Sequence, residues 1–131
     1  MKGFMIAMVL FSSSVVFAQA QQGQIIAVAA TDKTEKAQVS KEAARPPYYL
    51  IFDEHGKLVE VMPNPSCDVF RGAGPKVANF LAEKNVTVVI AGDFGHKMTN
   101  ALDEEGITYY KGTGMVKKAV QEFIRQDPSK R

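Results

Sequence analysis

The sequence predicts a one-domain α/β fold, a mixed five-stranded sheet with helices packed on it in the order β-β-β-α-β-α-β-α. Three observations predict it. Before Pro63 the apolar residues fall in short runs of strand length, QIIAVA, YYLIFD and KLVEVM. After Pro63 they recur at helical spacing, as in Val77, Phe80 and Leu81. Between them, VTVVIAGDFGHKMTNAL (Val86 to Leu102) runs from β-formers through a glycine-rich loop directly into a helix.

Gln24 to Ala29 is the first strand, apolar enough to be buried. Thr31 to Pro47 is polar, ends in Pro46-Pro47, and reads as a long loop. Tyr48 to Asp53 and Lys57 to Met62 are two antiparallel strands joined at Asp53-Glu54-His55-Gly56, where glycine admits a positive φ. Pro63 to Gly74 is a second loop. Pro75 suits the first position of a helix that ends near Asn85. Val86 to Ala91, apolar almost throughout, is a strand covered on both faces. Met98, Ala101 and Leu102 mark the inner face of a second helix, closed by Gly106. Ile107 to Tyr110 is the last strand. Thr113 is placed to N-cap a third helix, whose inner face is Val116, Ala119, Val120, Phe123 and Ile124. The tail QDPSKR reads as a solvated end.

The first twenty residues read differently from the rest. Lys2 is their only charge, an apolar run extends from Phe4 to Phe17, and Ala18-Gln19-Ala20 fits a small-x-small cleavage site. Residues 1–20 are therefore expected to be a signal peptide cut near Ala20. A periplasmic or secreted chain, not embedded in the membrane, would remain. It would carry 15 Lys+Arg against 14 Asp+Glu. That balance argues against nucleic acid as a partner, because neutralising phosphates needs a basic face. Cys67 is the only cysteine, so no internal disulfide forms.

If strands one, three, four and five point one way, the loops leaving their carboxyl ends share one edge. Open α/β sheets bind ligands there, and helix N-termini favour anions. Gly72, Gly74, Gly92, Gly95, Thr113 and Gly114 are the candidate binding residues on that edge, with His96 at the start of the second helix. Cys67 and His96 are the candidate metal ligands, since thiolate and imidazole together suit copper, zinc or iron clusters. No CxxC, HxxxH, HExxH, GxGxxG or GxxxxGK[ST] motif is present. Asp32 and Asp93 could both reach the edge and hold a divalent metal for phosphoryl transfer, but no further acid is placed to help them. His55 belongs to the opposite edge.

IIAVAATD, VSKEAARPPYYLIFD, PNP and RGAGPKVANFLAEKNVTVVIAGDFGHKMTNALDEEGITYYKGTGMVKKAVQEF together resemble the dinitrogenase iron–molybdenum cofactor biosynthesis family. The resemblance spans nearly all of Gln24 to Phe123. It implies a ribonuclease-H-like three-layer fold without nuclease activity. It also implies a non-catalytic carrier of a molybdenum-, copper- or iron-containing cluster. The family's glycine loop matches Gly92 and Gly95, and its asparagine–proline turn matches Asn64-Pro65. Many members carry a segment like VSxHFGRAP. Here Val39 to Pro47 has neither the histidine nor the glycine, which counts against a histidine-ligated cluster. A signal peptide is a second departure, because nitrogenase cofactor assembly is cytoplasmic. Two expectations follow: an exported carrier of a metal cluster or small anion, or a cofactor-free module that binds a protein partner.

Overall fold

The structure, a computed structural model, describes residues 23–68 and 71–126. The signal-peptide reading of residues 1–20 and the solvated-tail reading beyond Gln126 lie outside them. Five strands, β1 (Ile26–Ala30), β2 (Tyr48–Phe52), β3 (Leu58–Pro63), β4 (Val88–Ala91) and β5 (Thr108–Lys111), form one sheet in the order β3-β2-β1-β4-β5. β2 is antiparallel to both its neighbours, while β1, β4 and β5 run parallel. β1, β3, β4 and β5 therefore share one direction, as the sequence predicts. Three helices, α1 (Ala73–Glu83), α2 (Gly95–Glu104) and α3 (Val116–Gln126), complete the fold.

The helices lie on both faces. Val77 and Leu81 of α1 and Met98 and Leu102 of α2 pack against Ala27, Tyr49, Ile51 and Val89 on one side. Val116, Ala119 and Val120 of α3 pack against Ile26, Val28, Leu50, Phe52 and Ile90 on the other. Every residue of β1 and β4 is buried. That double burial is why these strands read as continuous apolar runs instead of alternating.

The element ends differ from the expected ones, each for a local reason. α1 starts at Ala73, so Pro75 is its third residue, still within the turn whose N–H groups have no intrahelical partner. Asn85 takes φ 63°, and the Val86 N–H bonds back to the Leu81 carbonyl. This Schellman closure occupies Val86, so β4 begins only at Val88. Gly106 (φ 71°) and the Ile107 N–H on Leu102 repeat the closure behind α2, which delays β5 to Thr108. Thr113 does not cap α3. That helix begins at Val116, and its first donors go to the β1–β2 loop: Val116 N–H to Ala37 O at 2.8 Å and Lys117 N–H to Glu35 O at 3.0 Å.

The hairpin turn forms as expected, with Gly56 at φ 84°. Asp53 Oδ1 accepts the His55 and Lys57 backbone N–H groups at 2.9 and 3.0 Å. These bonds, the Lys57 one foremost, hold its carboxyl below the ordinary value of 3.8. The native pKa is lowered, so the stabilisation is present above the ordinary value and is lost as pH falls through the native one. Denaturant midpoints of wild type and Asp53→Asn are expected to differ most above pH 3.8 and to converge below it. A gap independent of pH would exclude the carboxylate as its source.

Candidate functional site

The loops leaving β1, β3 and β4 meet at the carboxyl edge of the sheet and enclose a two-lobed cleft. The larger lobe, about 620 Å³, lies between Ser40–Arg45 of the β1–β2 loop and Asp93–Gly95 after β4. The smaller, about 310 Å³, lies between Arg71–Gly74 at the start of α1 and Phe94–Met98 at the start of α2. Ala44, Arg45, Phe94 and Gly95 border both lobes. The N-terminal ends of α1 and α2 thus border one hollow, with the positive ends of their dipoles toward it.

The β1–β2 loop becomes a cleft wall through bonds to distant residues. The Ser40 N–H continues from β1 to the Ala29 carbonyl at 2.7 Å, and the Ser40 carbonyl accepts the Gly92 N–H at 2.9 Å. The Ala43 N–H donates to Asp93 O at 3.0 Å. Tyr49, fully buried in β2, donates its hydroxyl to the Ala43 carbonyl. Asn64, buried just after β3, donates its amide to the carbonyls of Ala44 at 3.2 Å and Pro46 at 3.0 Å. Its Oδ1 accepts the Ser66 N–H at 2.9 Å. Besides Tyr49, the buried polar side chains among the described residues are Ser40, Asn64 and Ser66, all in the loops of this edge. Buried polar groups are retained where hydrogen bonds satisfy them, and here those bonds shape the wall.

Among the charged residues that line the cleft, cations outnumber acids. Lys41, Arg45, Arg71 and Lys97 border it, together with His96. Its acids are Glu42 and Asp93. Asp93 Oδ1 lies 3.6 Å from Lys111 Nζ, an exposed pair that offsets its charge but contributes little stability. Phe94, 8% exposed, supplies an apolar surface between the lobes and packs against Tyr109, the rings tilted by 46° with centroids 5.2 Å apart.

The sequence-predicted residues divide. Gly72, Gly74, Gly95 and His96 line the smaller lobe. Gly72 and Gly95 take φ of 73° and 72° and face open space. Gly74 and Gly92 work differently, since chain approaches them where a ligand was expected. A Cβ on Gly74 would lie 3.3 Å from Met98 Cα, where α1 meets α2, and one on Gly92 would lie 2.9 Å from Lys41 Cα. Cys67 is half-buried beside the cleft wall, its Sγ 4.0 Å from the Arg45 carbonyl oxygen. Among the described residues no group of three His, Cys, Asp or Glu side chains could hold a metal ion.

Thr113 and Gly114 are not brought to the cleft. Thr113 lines a separate hollow with Lys111 and Lys118, and the Gly114 carbonyl accepts the Val39 N–H at 2.8 Å. The third helix start is thus covered by the protein's own loop, and two helix starts remain where three were expected. Asp93 lines the larger lobe but Asp32 does not; the Asp32 carboxylate accepts the Lys33 N–H at 2.8 Å. His55 sits in the far hairpin, 78% exposed. The reading by residue pattern missed Lys41, Arg45, Arg71, Lys97 and Phe94. The available signal was the length of the loop that carries the first two.

The family described as dinitrogenase iron–molybdenum cofactor matches residues 24–126. The apo orange protein of Desulfovibrio gigas superposes with a TM-score of 0.74 at 28% identity, over 79% of this chain and 89% of that one. A Thermotoga protein proposed to be NifB gives 0.68 at 31% identity, over 79% and 89%. A dinitrogenase-like protein of Methanocaldococcus jannaschii gives 0.58 over 79% and 89%, and at 15% identity it shares the fold alone. No curated protein matches the chain.

Proposed function

Because this chain belongs to the dinitrogenase iron–molybdenum cofactor family, we propose that it binds and carries an anionic metal–sulfur cluster and performs no turnover. The observation that carries this reading is the cleft itself, with Lys41, Arg45, Arg71 and Lys97 around an apolar Phe94 and two helix starts. A bare cation would meet repulsion there and find no set of three ligands. A preassembled anion needs neither, because ammonium and guanidinium groups neutralise it through charge-assisted hydrogen bonds. The family's own description, dinitrogenase iron–molybdenum cofactor, supports the same class of cargo. His96 in the smaller lobe and Cys67 beside the wall are the soft donors that could add a direct bond to a copper, molybdenum or iron atom of the cargo.

Delivery of the chain to the periplasm or the exterior is part of the proposal and rests on residues 1–20. No described helix is long and apolar enough to cross a membrane. The alternative, a cofactor-free module for a protein partner, is favoured by the Val39–Pro47 segment, which lacks the family's histidine and glycine.

The test is titration of the purified chain with tetrathiomolybdate, molybdate and copper(I), with elemental analysis of protein taken from its own host. One tetrathiomolybdate or a copper–thiomolybdate product per chain is expected, and weaker retention of copper(I) alone. Metal-free native protein with no response to any of the three would overturn the carrier reading in favour of the interaction module. Measuring His96→Ala and Cys67→Ala beside wild type separates ligation from charge neutralisation.

A further inference from the structure

Ala43 to Pro47 has its carbonyls taken on the protein side, one after another. Tyr49 Oη donates to Ala43 O, Asn64 Nδ2 to Ala44 O and Pro46 O, and the Asn64 N–H to Pro47 O at 3.0 Å. Between them, Cys67 Sγ stands 4.0 Å from Arg45 O. No peptide bond among the described residues is cis. In a trans peptide the C=O and N–H of one unit point to opposite sides. When Tyr49 draws the Ala43 carbonyl inward, the N–H of the same unit, which belongs to Ala44, turns outward. Ala44 borders both lobes of the cleft. Its N–H has no hydrogen-bond acceptor among the described residues, whereas the neighbouring Ala43 N–H is bound to Asp93 O.

We propose that Tyr49 is a positioning residue that turns the Ala44 N–H into the cleft as a fixed donor for an acceptor atom of the bound anion, with Asn64 holding the peptide units that follow. The inference rests on the reading of the cleft as an anion site and names a contact that no side chain makes. Two further features fit it. Pro46 and Pro47 have no N–H to compete and limit the backbone freedom of the wall. The inward carbonyls also keep their negative ends away from the cargo, so the wall shows the cleft its positive side.

The test is amide-resolved NMR on the chain, with tetrathiomolybdate as the probe. In the ligand-free protein the Ala44 amide is expected to exchange rapidly with water while the Ala43 amide is protected. Protection of Ala44 would show that it already has a partner and would overturn the inference, whether or not the probe binds. On titration, the Ala44 amide of wild type is expected to shift together with those of His96 and Lys97.

Tyr49→Phe removes one hydroxyl and keeps the packing. It is expected to weaken binding about tenfold, the effect of losing one well-placed hydrogen bond. It should also erase the Ala44 shift while the His96 and Lys97 shifts persist. Asn64→Ala, which frees the Ala44 and Pro46 carbonyls but not the Ala43 carbonyl, should reduce the Ala44 shift less than Tyr49→Phe does, and Asn64→Ser is the milder variant if the alanine does not fold. A general loss of stability would diminish all three shifts together, so equal losses in Tyr49→Phe would count against positioning. A rapidly exchanging Ala44 amide in a protein that ignores the probe would keep the geometry and remove the cluster.

Discussion

Replacing Gly92 by alanine is expected to remove about 1–3 kcal/mol of stability, the usual cost of forcing atoms into a packed site, and to open the cleft wall. The new Cβ would stand 2.9 Å from Lys41 Cα, 3.2 Å from Lys41 O and 3.3 Å from Ser40 O. All three are backbone atoms, so no rotamer change relieves the contact. The wall cannot retreat cheaply, because Ser40 and Ala43 are hydrogen-bonded to Ala29 and Asp93. Gly106→Ala, remote from the cleft, is the matched control. Its φ of 71° costs an L-residue about 1–2 kcal/mol, but its Cβ would point into open space and push nothing. Urea unfolding and probe titration on both variants check this. Equal retention of binding in the two would show that Gly92 does not hold the wall. Retention of full stability by Gly92→Ala would contradict the close approach itself.

The second large effect concerns charge. Exchanging both Arg45 and Arg71 for glutamine should weaken tetrathiomolybdate binding by roughly a hundredfold or more, since a hydrogen bond to a charged group contributes about 1.5–3 kcal/mol. The wild-type affinity should also fall as salt is raised from about 0.01 to 1 M, because screening acts on an open, partly solvated cleft. The double variant should show a shallower salt dependence, its attraction having been reduced in advance. Calorimetry at three ionic strengths reads both effects, with thermal melting alongside to confirm the fold. Binding indifferent to salt and to both arginines would transfer the cargo's affinity to direct ligation by His96 or Cys67.

Element order and strand direction were legible because they follow from local signals: a hairpin turn at Asp53–Gly56, β-rich runs, and helices between parallel strands. Element ends were less so. The Schellman closures at Asn85 and Gly106 draw Val86 and Ile107 out of their strands, although both residues are apolar and look like strand starts. Thr113 failed as a cap because the capping groups are carbonyls of Glu35 and Ala37, which are remote in sequence. The same limit applied to the site. Glycine density pointed to the right edge, but could not tell Gly72 and Gly95, which shape the backbone, from Gly74 and Gly92, which let chain meet chain. Lys41 and Arg45 had no periodicity to mark them. They face the cleft because Tyr49 and Asn64 hold the backbone around them, and bonds from a strand interior to a loop leave no trace in a spacing pattern.

The β1–β2 loop has a mechanical role as well. Its first half grips the start of α3 on one face of the sheet, and its second half walls the cleft beside α1 and α2 on the other. It acts as a tie-bar across the top of the molecule. A protease nick near Lys33–Lys36 would loosen the half that holds α3, while the bonds of Ser40 and Ala43 to Ala29, Gly92 and Asp93 keep the wall in place, so the last helix should fray before the cargo site opens.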